Sequence, residues 1–361
     1  MKNVLYITNI AAPYREHFFA EFSKGCELTV LYERQKSTNR DESWTVGGES
    51  AYKKEYLNGF VIGNENSFSL KILKYVLDKY DSIILGCYNS PVQMFVILLM
   101  RLLRRPYILN IDGELFIGQG IKAKIKKFFL RGATRYLVAG KEAAKSLGNI
   151  VPQERIETYY FSSLDAEEVA ENGQAENLKR SKTVLVIGQY FDYKGMDIAA
   201  RVAKLNADIQ YKFVGTGKRT NLFVQEQQLD CLLNVEVIPF MDKETLAKEY
   251  RECAMLVLPS RQECWGLVIN EAASYGMPIV ATWGSGAAVE FMANKYPHYL
   301  AEPGNTEDLY EKIVALMHDS QKDEYAQYLK AVSRNYSIER CVEAHRRICG
   351  ISGDARKIQR W

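Results

Sequence analysis

Long apolar runs are missing from this 361-residue chain. The longest, Met94 to Met100, has seven residues and ends at Arg101, against about 18 needed to cross a bilayer. Paired cysteines are missing as well. The seven cysteines, at 26, 87, 231, 253, 264, 341 and 349, form no C-x-x-C pair, and their odd number fits a disulfide scaffold poorly. The reducing cytoplasm is the expected setting. Strong charge of one sign is also absent: 47 Lys and Arg against 44 Asp and Glu leave +3, too little to point to nucleic acid. The N-terminal stretch MKNVLYITNI is interrupted by Thr8 and Asn9 too early for a signal-peptide core, so it is expected to be a first buried strand.

The 47% hydrophobic content is that of a globular protein, and the length favours two domains. Short apolar runs alternate with amphipathic stretches, the pattern of a doubly wound α/β layer. Expected strands are 4–8, 28–32, 82–86, 107–110 and 135–139, with crossover helices at 91–103 and 122–131. After Asp165 the composition turns acidic and then basic. The alternation restarts at Thr183, with strands expected at 183–188, 211–214, 234–238, 255–258 and 278–281. The expected layout is an N-terminal Rossmann-like domain at 1–170, a linker at 171–181, a C-terminal Rossmann-like domain at 182–340 and a helix or tail at 341–361 that can return to the N-terminal domain. The two doubly wound domains would face each other across a cleft.

The segment Leu258-Pro-Ser-Arg-Gln-Glu-Cys-Trp-Gly-Leu-Val-Ile-Asn-Glu271 carries the most chemistry. Gly266 can open a helix over about 267–275, Gly276 suits its C-terminal cap, and Pro278 cannot continue it. The unpaired N–H groups of the first turn form a seat for phosphate. Glu263 precedes the helix, and Glu271 lies just over one turn in, its side chain leaning back toward the helix start. A carboxylate among Leu267, Val268, Ile269, Ala272 and Ala273 is costly unless partners satisfy its oxygens. Sugar hydroxyls are suitable partners; a structural pairing with a nearby Lys or Arg is the alternative.

Gly188-Gln189 and Lys194-Gly195 follow the first strand of the second half, where Lys194 is placed to meet anionic oxygen or simply to face solvent before a helix. Gly215-Thr-Gly217-Lys218 fails as a Walker A loop because Lys212 stands where glycine is needed and Arg219 where Ser or Thr is needed. What remains is a tight turn at a strand end.

Together these segments, over 183–303, resemble the GT-B retaining glycosyltransferases of family 4, the group 1 type found in bacterial capsule, exopolysaccharide and lipopolysaccharide synthesis. The resemblance implies a hexose-type sugar moved from a nucleotide-sugar, by default a UDP-sugar, to a saccharide or lipid-linked saccharide acceptor. It implies that Glu271 binds ribose hydroxyls and that Glu263 holds the transferred sugar. Gly266, Leu267 and Val268 would offer N–H groups to the diphosphate, and Lys194 would neutralise the leaving phosphate. Gly188, Gln189, Gly195, Gly215, Gly217, Arg261, Cys264 and Trp265 complete the implied donor side. Gln189 stands where the family commonly has Arg, leaving Arg261, Lys218 or Arg219 to supply that charge. Asp112 stands where the family often has His: it is open to a catalytic reading and to an Asx turn before Gly113. Tyr14, Arg15 and His17, after the first strand, are the acceptor-side candidates, against the alternative of a helix start with a surface Arg. No D-x-D occurs, so neither a metal nor another cofactor is expected.

Nine basic and two acidic residues fall between Arg101 and Arg135. Within this stretch, 122–131 interleaves Lys with Ile and Phe, which suits peripheral contact with an anionic membrane at its inner face or, alternatively, an ordinary amphipathic helix packed on the sheet. A catalytically silent sugar-nucleotide-binding subunit is the competing reading of the whole chain. A nicotinamide-dependent dehydrogenase ranks behind both, because neither half has G-x-G-x-x-G after its first strand.

Overall fold

A computed structural model of the chain describes residues 1–35, 50–62, 66–174 and 180–351. They form two compact units. One comprises Met1–Phe161 together with Ile338–Trp361, and the other Ser162–Ser337.

The first unit is built on a seven-stranded parallel sheet. Its order in space is Lys53–Tyr56, Glu27–Tyr32, Asn3–Thr8, Ser82–Leu85, Ile108–Ile111, Arg135–Ala139 and Ile156–Tyr159. Strand Asn3–Thr8 is apolar on both faces because helices cover both. Leu5 and Ile7 meet the stripe Val92, Val96, Ile97 and Met100 of the helix Pro91–Leu102. Tyr6 packs edge-on against Phe19 of the helix Pro13–Ser23, with ring centroids 4.9 Å apart. Pro91 opens its helix in the position where a missing N–H costs nothing, and the Ser90 hydroxyl accepts from the Gln93 N–H at 3.2 Å.

The second unit repeats the scheme with six parallel strands: Val235–Ile238, Gln210–Val214, Thr183–Ile187, Met255–Leu258, Ile279–Thr282 and Leu300–Ala301. Numbered within the unit this is 3-2-1-4-5-6, the Rossmann order, in which the carboxyl ends of the strands carry the ligand loops.

The expected strands all form, with ends shifted by a residue or so. Three parallel strands lie outside that expectation: Lys53–Tyr56, Ile156–Tyr159 and Leu300–Ala301. Lys53–Tyr56 is a charged edge strand without an apolar run, and Leu300–Ala301 has two residues. A small antiparallel pair, Phe60–Ile62 with Asn66–Phe68, is also unannounced by the sequence pattern.

The junctions differ from the expected ones. The division falls between Phe161 and Ser162, and the segment expected to start the linker belongs to the helix Ala166–Gln174 of the second unit. Asp165 and Glu168 form a capping box there: the Glu168 N–H donates to Asp165 Oδ1 at 2.8 Å and the Asp165 N–H to Glu168 Oε2 at 3.0 Å. Val169 is buried, and Asn172 Nδ2 donates to Ser274 Oγ at 2.9 Å. The expected linker positions 175–179 lie outside the described residues.

The first unit resumes with the helix Ile338–Ile348, whose His345 packs against Phe18 at 4.7 Å and whose Arg346 donates to the Glu21 carbonyl at 2.6 Å. Positions 352–361 of the expected tail lie outside the described residues. No helix of the described residues is long and apolar enough to cross a membrane.

Candidate active site

At the carboxyl ends of the second unit's strands, two loops are stitched together backbone to backbone. The first runs from Gly188 to Gly195, and the second from Pro259 to Gly266. The N–H groups of Arg261 and Gln262 both donate to the Tyr193 carbonyl, at 2.9 and 3.0 Å. Gly195, with φ +66°, comes so close to the second loop that a Cβ there would lie 2.0 Å from the Pro259 carbonyl oxygen. Only glycine permits that approach. Arg261 adds a side-chain strap. Its guanidinium grips Asp197 through two bonds of 2.8 and 2.7 Å and donates to the Asp192 carbonyl at 2.6 Å. The pairing pulls the Asp197 carboxyl below its ordinary range: burial works against the ionised form, and the Arg261 bonds outweigh it.

This stitching brings Lys194 Nζ onto Glu263 Oε2 in a short, half-buried ion pair. The Glu263 backbone is itself fixed, its N–H donating to the Gly284 carbonyl at 2.8 Å and its carbonyl accepting from the Gly286 N–H at 3.2 Å.

Gly266 caps the helix Leu267–Ser274 with φ +101°, and a Cβ there would press on Leu258, Ser285 and Glu263 at 3.0 to 3.3 Å. In the first turn, the N–H groups of Leu267 and Val268 have no intrahelical acceptor to reach. Further along the same helix, the Glu271 carboxylate accepts from Ser163 Oγ at 2.9 Å on one oxygen and from the Tyr250 hydroxyl at 2.7 Å on the other. Burial raises the Glu271 pKa despite these two bonds. The carboxylate the sequence placed here therefore does bind hydroxyls, and both come from this chain. Each oxygen keeps a further lone pair.

The glycine turns lie at the neighbouring strand ends. The Gly188 N–H donates to the Val214 carbonyl at 2.9 Å, and a Cβ on Gly215, at φ +93°, would stand 3.5 Å from the Gly188 carbonyl. Around Gly217, at φ +57°, the space that a Cβ would take is open. Of the three cations offered in place of the charge missing at Gln189, Arg219 lies beside the two residues that follow it. It donates to the Tyr190 carbonyl at 3.3 Å and lies over the Phe191 ring at 4.1 Å. Lys218 is exposed. Arg261 is committed to Asp197, so its part is to tie the loops together rather than to stand free as a phosphate clamp.

Cys264 is exposed. Trp265 turns the other way: it is buried, and its ring N–H donates to Asn270 Oδ1 at 2.9 Å. Its structural part is to seat the start of the helix.

The first unit's candidates form a separate, largely buried network. Arg15 and Asp112 make a short ion pair, and Arg15 also donates to the Tyr6 hydroxyl at 3.2 Å. The other Asp112 oxygen accepts from the Tyr159 hydroxyl at 2.7 Å and from Asn110 Nδ2 at 2.5 Å. His345 Nε2 reaches Asn110 Oδ1 at 3.1 Å, and its Nδ1 faces the Cys341 carbonyl at 2.8 Å. Burial drives the His345 pKa down to about 4. Arg15 is therefore a buried counter-charge and not a surface residue. Tyr14 is half-buried against Phe161 at 6.1 Å, and His17 is exposed.

Sequence reasoning missed Asn110, Tyr159 and His345 as partners of Asp112. Asn110 had a signal, since a polar residue two positions before Asp112 in an otherwise apolar strand projects to the same side. It also missed Glu33, a buried carboxylate that accepts from Ser90 Oγ at 2.7 Å and Gln93 Nε2 at 2.8 Å, and whose pKa burial raises.

Residues 169–335, all within the second unit, match the family model of glycosyl transferases group 1. An uncharacterized glycosyltransferase of Methanocaldococcus jannaschii is 30% identical over 165 residues, 45% of this chain and 46% of that protein. The chain thus spans about half the length of that curated relative, and likewise 47% of a glycosyltransferase of Haemophilus influenzae. The N,N'-diacetylbacillosaminyl-diphospho-undecaprenol alpha-1,3-N-acetylgalactosaminyltransferase of Campylobacter jejuni is 23% identical over 297 residues, 75% of this chain and 76% of its own.

Among solved structures, Anabaena HepE in complex with UDP-glucose superposes with a TM-score of 0.70 at 16% identity, covering 97% of this chain and 99% of that one. WaaG, a glycosyltransferase involved in lipopolysaccharide biosynthesis, superposes with a TM-score of 0.65 at 15% identity, covering 97% and 100%. The chain has the GT-B fold, two Rossmann-like units in one polypeptide.

Proposed function

We propose that this GT-B chain is a glycosyltransferase that moves a hexose-type sugar from a nucleotide-sugar, by default a UDP-sugar, to a saccharide or lipid-linked saccharide acceptor in surface polysaccharide synthesis. The observation that carries the reading is the convergence of Lys194, Glu263 and the amide-bearing first turn of the helix Leu267–Ser274, with Glu271 further along that helix. A nucleoside diphosphate leaving an anomeric carbon deposits negative charge on phosphate oxygen. A cation and fixed N–H dipoles are what lowers the energy of that charge.

In this reading Lys194 is released from Glu263 to the leaving phosphate, and Glu263 turns to the hydroxyls of the transferred sugar. Glu271 accepts from the ribose hydroxyls. The reaction proceeds with retention, the leaving phosphate receiving the acceptor proton, and the charge comes from side chains and amides rather than a metal. Support for a glycosidic donor comes from the group 1 family match over 169–335. Support for a lipid-linked acceptor comes from the undecaprenol-linked substrate in the name of the Campylobacter jejuni relative.

The basic segment adds to the acceptor reading. In the helix Gly120–Leu130 the buried face is Ala123, Phe129 and Leu130, while Ile121, Ile125 and Phe128 are 76%, 48% and 46% exposed among the lysines. An apolar row turned outward and flanked by cations suits an anionic bilayer surface.

The deciding experiment is a donor panel with release of nucleoside diphosphate as the readout, repeated in EDTA. A single preferred nucleotide-sugar, consumed at the same rate in chelator, is expected. Tight nucleotide binding without release under any acceptor would replace this reading with the silent subunit. Flotation with phosphatidylcholine vesicles, with and without phosphatidylglycerol, tests the membrane contact, and equal partition would remove it.

A further inference from the structure

A second charged site lies at the other end of the first unit's sheet. The strand Ile108–Ile111 has Asp112 beyond its carboxyl end and Tyr107 before its amino end, which puts the two about 16 Å apart along the strand. Around Tyr107 there is a cavity of about 360 Å³ lined by Arg101, Arg104, Arg105, Gly132 and Thr134, and among the described residues no acidic one lines it. Like charges gathered without a counter-ion are costly, and an anion relieves the cost.

The arginines are held there by the helix end. After Leu102 the chain closes with the Arg105 N–H on the Met100 carbonyl at 2.9 Å, and Arg104 takes φ +52°, the left-handed position that glycine usually fills. Arg105 is braced on the Val76 and Asp78 carbonyls at 2.5 and 2.9 Å, and Arg101 on the Phe128 carbonyl at 2.9 Å. Each bond uses one donor of a five-donor fork. The Arg104 guanidinium has no partner among the described residues.

The independent observation is Tyr107. It is 2% exposed, and its buried hydroxyl has no hydrogen-bond partner among the described residues. A Cβ on Gly132 would come within 2.3 Å of that hydroxyl and 3.0 Å of Arg101 Cδ, so the absence of a side chain at 132 is what lets phenol and arginine sit side by side. A buried donor left unmatched costs on the order of 1–3 kcal/mol unless something accepts from it.

We propose that this cavity binds a phosphate group, with Arg104 and Arg101 as the charged forks and the Tyr107 hydroxyl, buried beside the Arg101 stem, as a neutral donor reached when that stem shifts. Planar guanidinium forks match phosphate oxygens two at a time. The site is separate from the donor site of the second unit and does not rest on the glycosyltransferase reading. The phosphate can arrive as a free ion or as the monoester headgroup of a lipid, since the Arg101 guanidinium also stacks on the outward Phe128 ring at 4.2 Å.

The test uses the full chain in saturating UDP at constant ionic strength, with inorganic phosphate titrated calorimetrically into wild type, Arg104→Gly and Tyr107→Phe. Both variants are expected to fold at least as well as wild type, because one relieves a left-handed backbone and the other removes an unmatched hydroxyl. Each is expected to weaken phosphate about tenfold or more. In parallel, phosphatidylcholine vesicles with and without phosphatidic acid are floated with the three proteins.

Loss of phosphatidic-acid flotation in both variants assigns the phosphate to a lipid headgroup. Heat that falls in the variants while flotation stays equal assigns it to a soluble ion. Phosphate binding and flotation that are the same in all three proteins, or absent from all three, overturn the proposal.

Discussion

The two units share a sheet order and differ in how the ends of their strands are used. In the second, backbone does the positioning: Gly195 lies on Pro259, two N–H groups share the Tyr193 carbonyl, and Gly266 opens a helix. Lys194 and Glu263 are left half-buried, one on the other, each with bonding capacity to spare. In the first, side chains do the positioning, and they saturate one another. Asp112 already accepts from Arg15, Asn110 and Tyr159, behind which His345 is sealed. The second unit's arrangement is ready to exchange its internal pair for a ligand. The first unit's must be broken to be used.

The largest expected effect tests the first half of that contrast. Lys194→Ala should lower nucleoside diphosphate release on the order of 10²-fold or more while the donor dissociation constant changes little. Near-wild-type turnover would mean that the Lys194–Glu263 pair is structural, as Arg15–Asp112 is. Next, Asp112→Asn strands the Arg15 charge in the core and should cost about 3 kcal/mol in urea denaturation. The double variant Arg15→Met, Asp112→Asn should recover most of it. Activity that stays lost after stability returns would give Asp112 a chemical part beyond neutralising Arg15.

The strap between loops is a smaller lever. Arg261→Lys keeps the charge but cannot hold Asp197 through two bonds and the Asp192 carbonyl together, so kcat should fall roughly 10-fold with KM for the donor nearly constant. A change in KM alone would place Arg261 on the donor instead.

The smallest effect is a pH dependence. The Glu271 pKa is raised in the folded protein, so the folded state binds that proton more tightly than the unfolded chain does. Its contribution is fully present below the unfolded value of 4.5 and is lost as pH rises through the folded one. Glu271→Gln should therefore unfold at a higher temperature than wild type near neutral pH, with the gap closing toward pH 4.5, while donor binding weakens about 10-fold or more. Equal melting curves at pH 7.5 would show that the Ser163 and Tyr250 bonds fully offset the burial.

The same contrast explains what was legible in the sequence. Backbone-built sites need glycine and proline at fixed spacings, so 188–195, 215–217 and 258–278 announce themselves along the chain. The alternation of apolar runs was enough for ten strands and the Rossmann layering. The Asp112 network draws on positions 15, 110, 112, 159 and 345, which no local spacing connects. Trp265 shows the opposite hazard. It stands inside the motif, yet its ring is spent on Asn270 and the core. Lys53–Tyr56 was invisible because an edge strand protected by charge carries no apolar signature.

The return of Ile338–Ile348 to the first unit has a consequence for synthesis. On a ribosome, the unit that begins at residue 1 is the last to be completed, because His345 and Arg346 emerge only after all of Ser162–Ser337 has passed. The second unit is contiguous and can mature while the nascent first sheet still waits, with the hydrophobic side of Phe18 and Phe22 uncovered. A stop codon at 338 should therefore spare the later-encoded unit and leave the earlier one open to proteases.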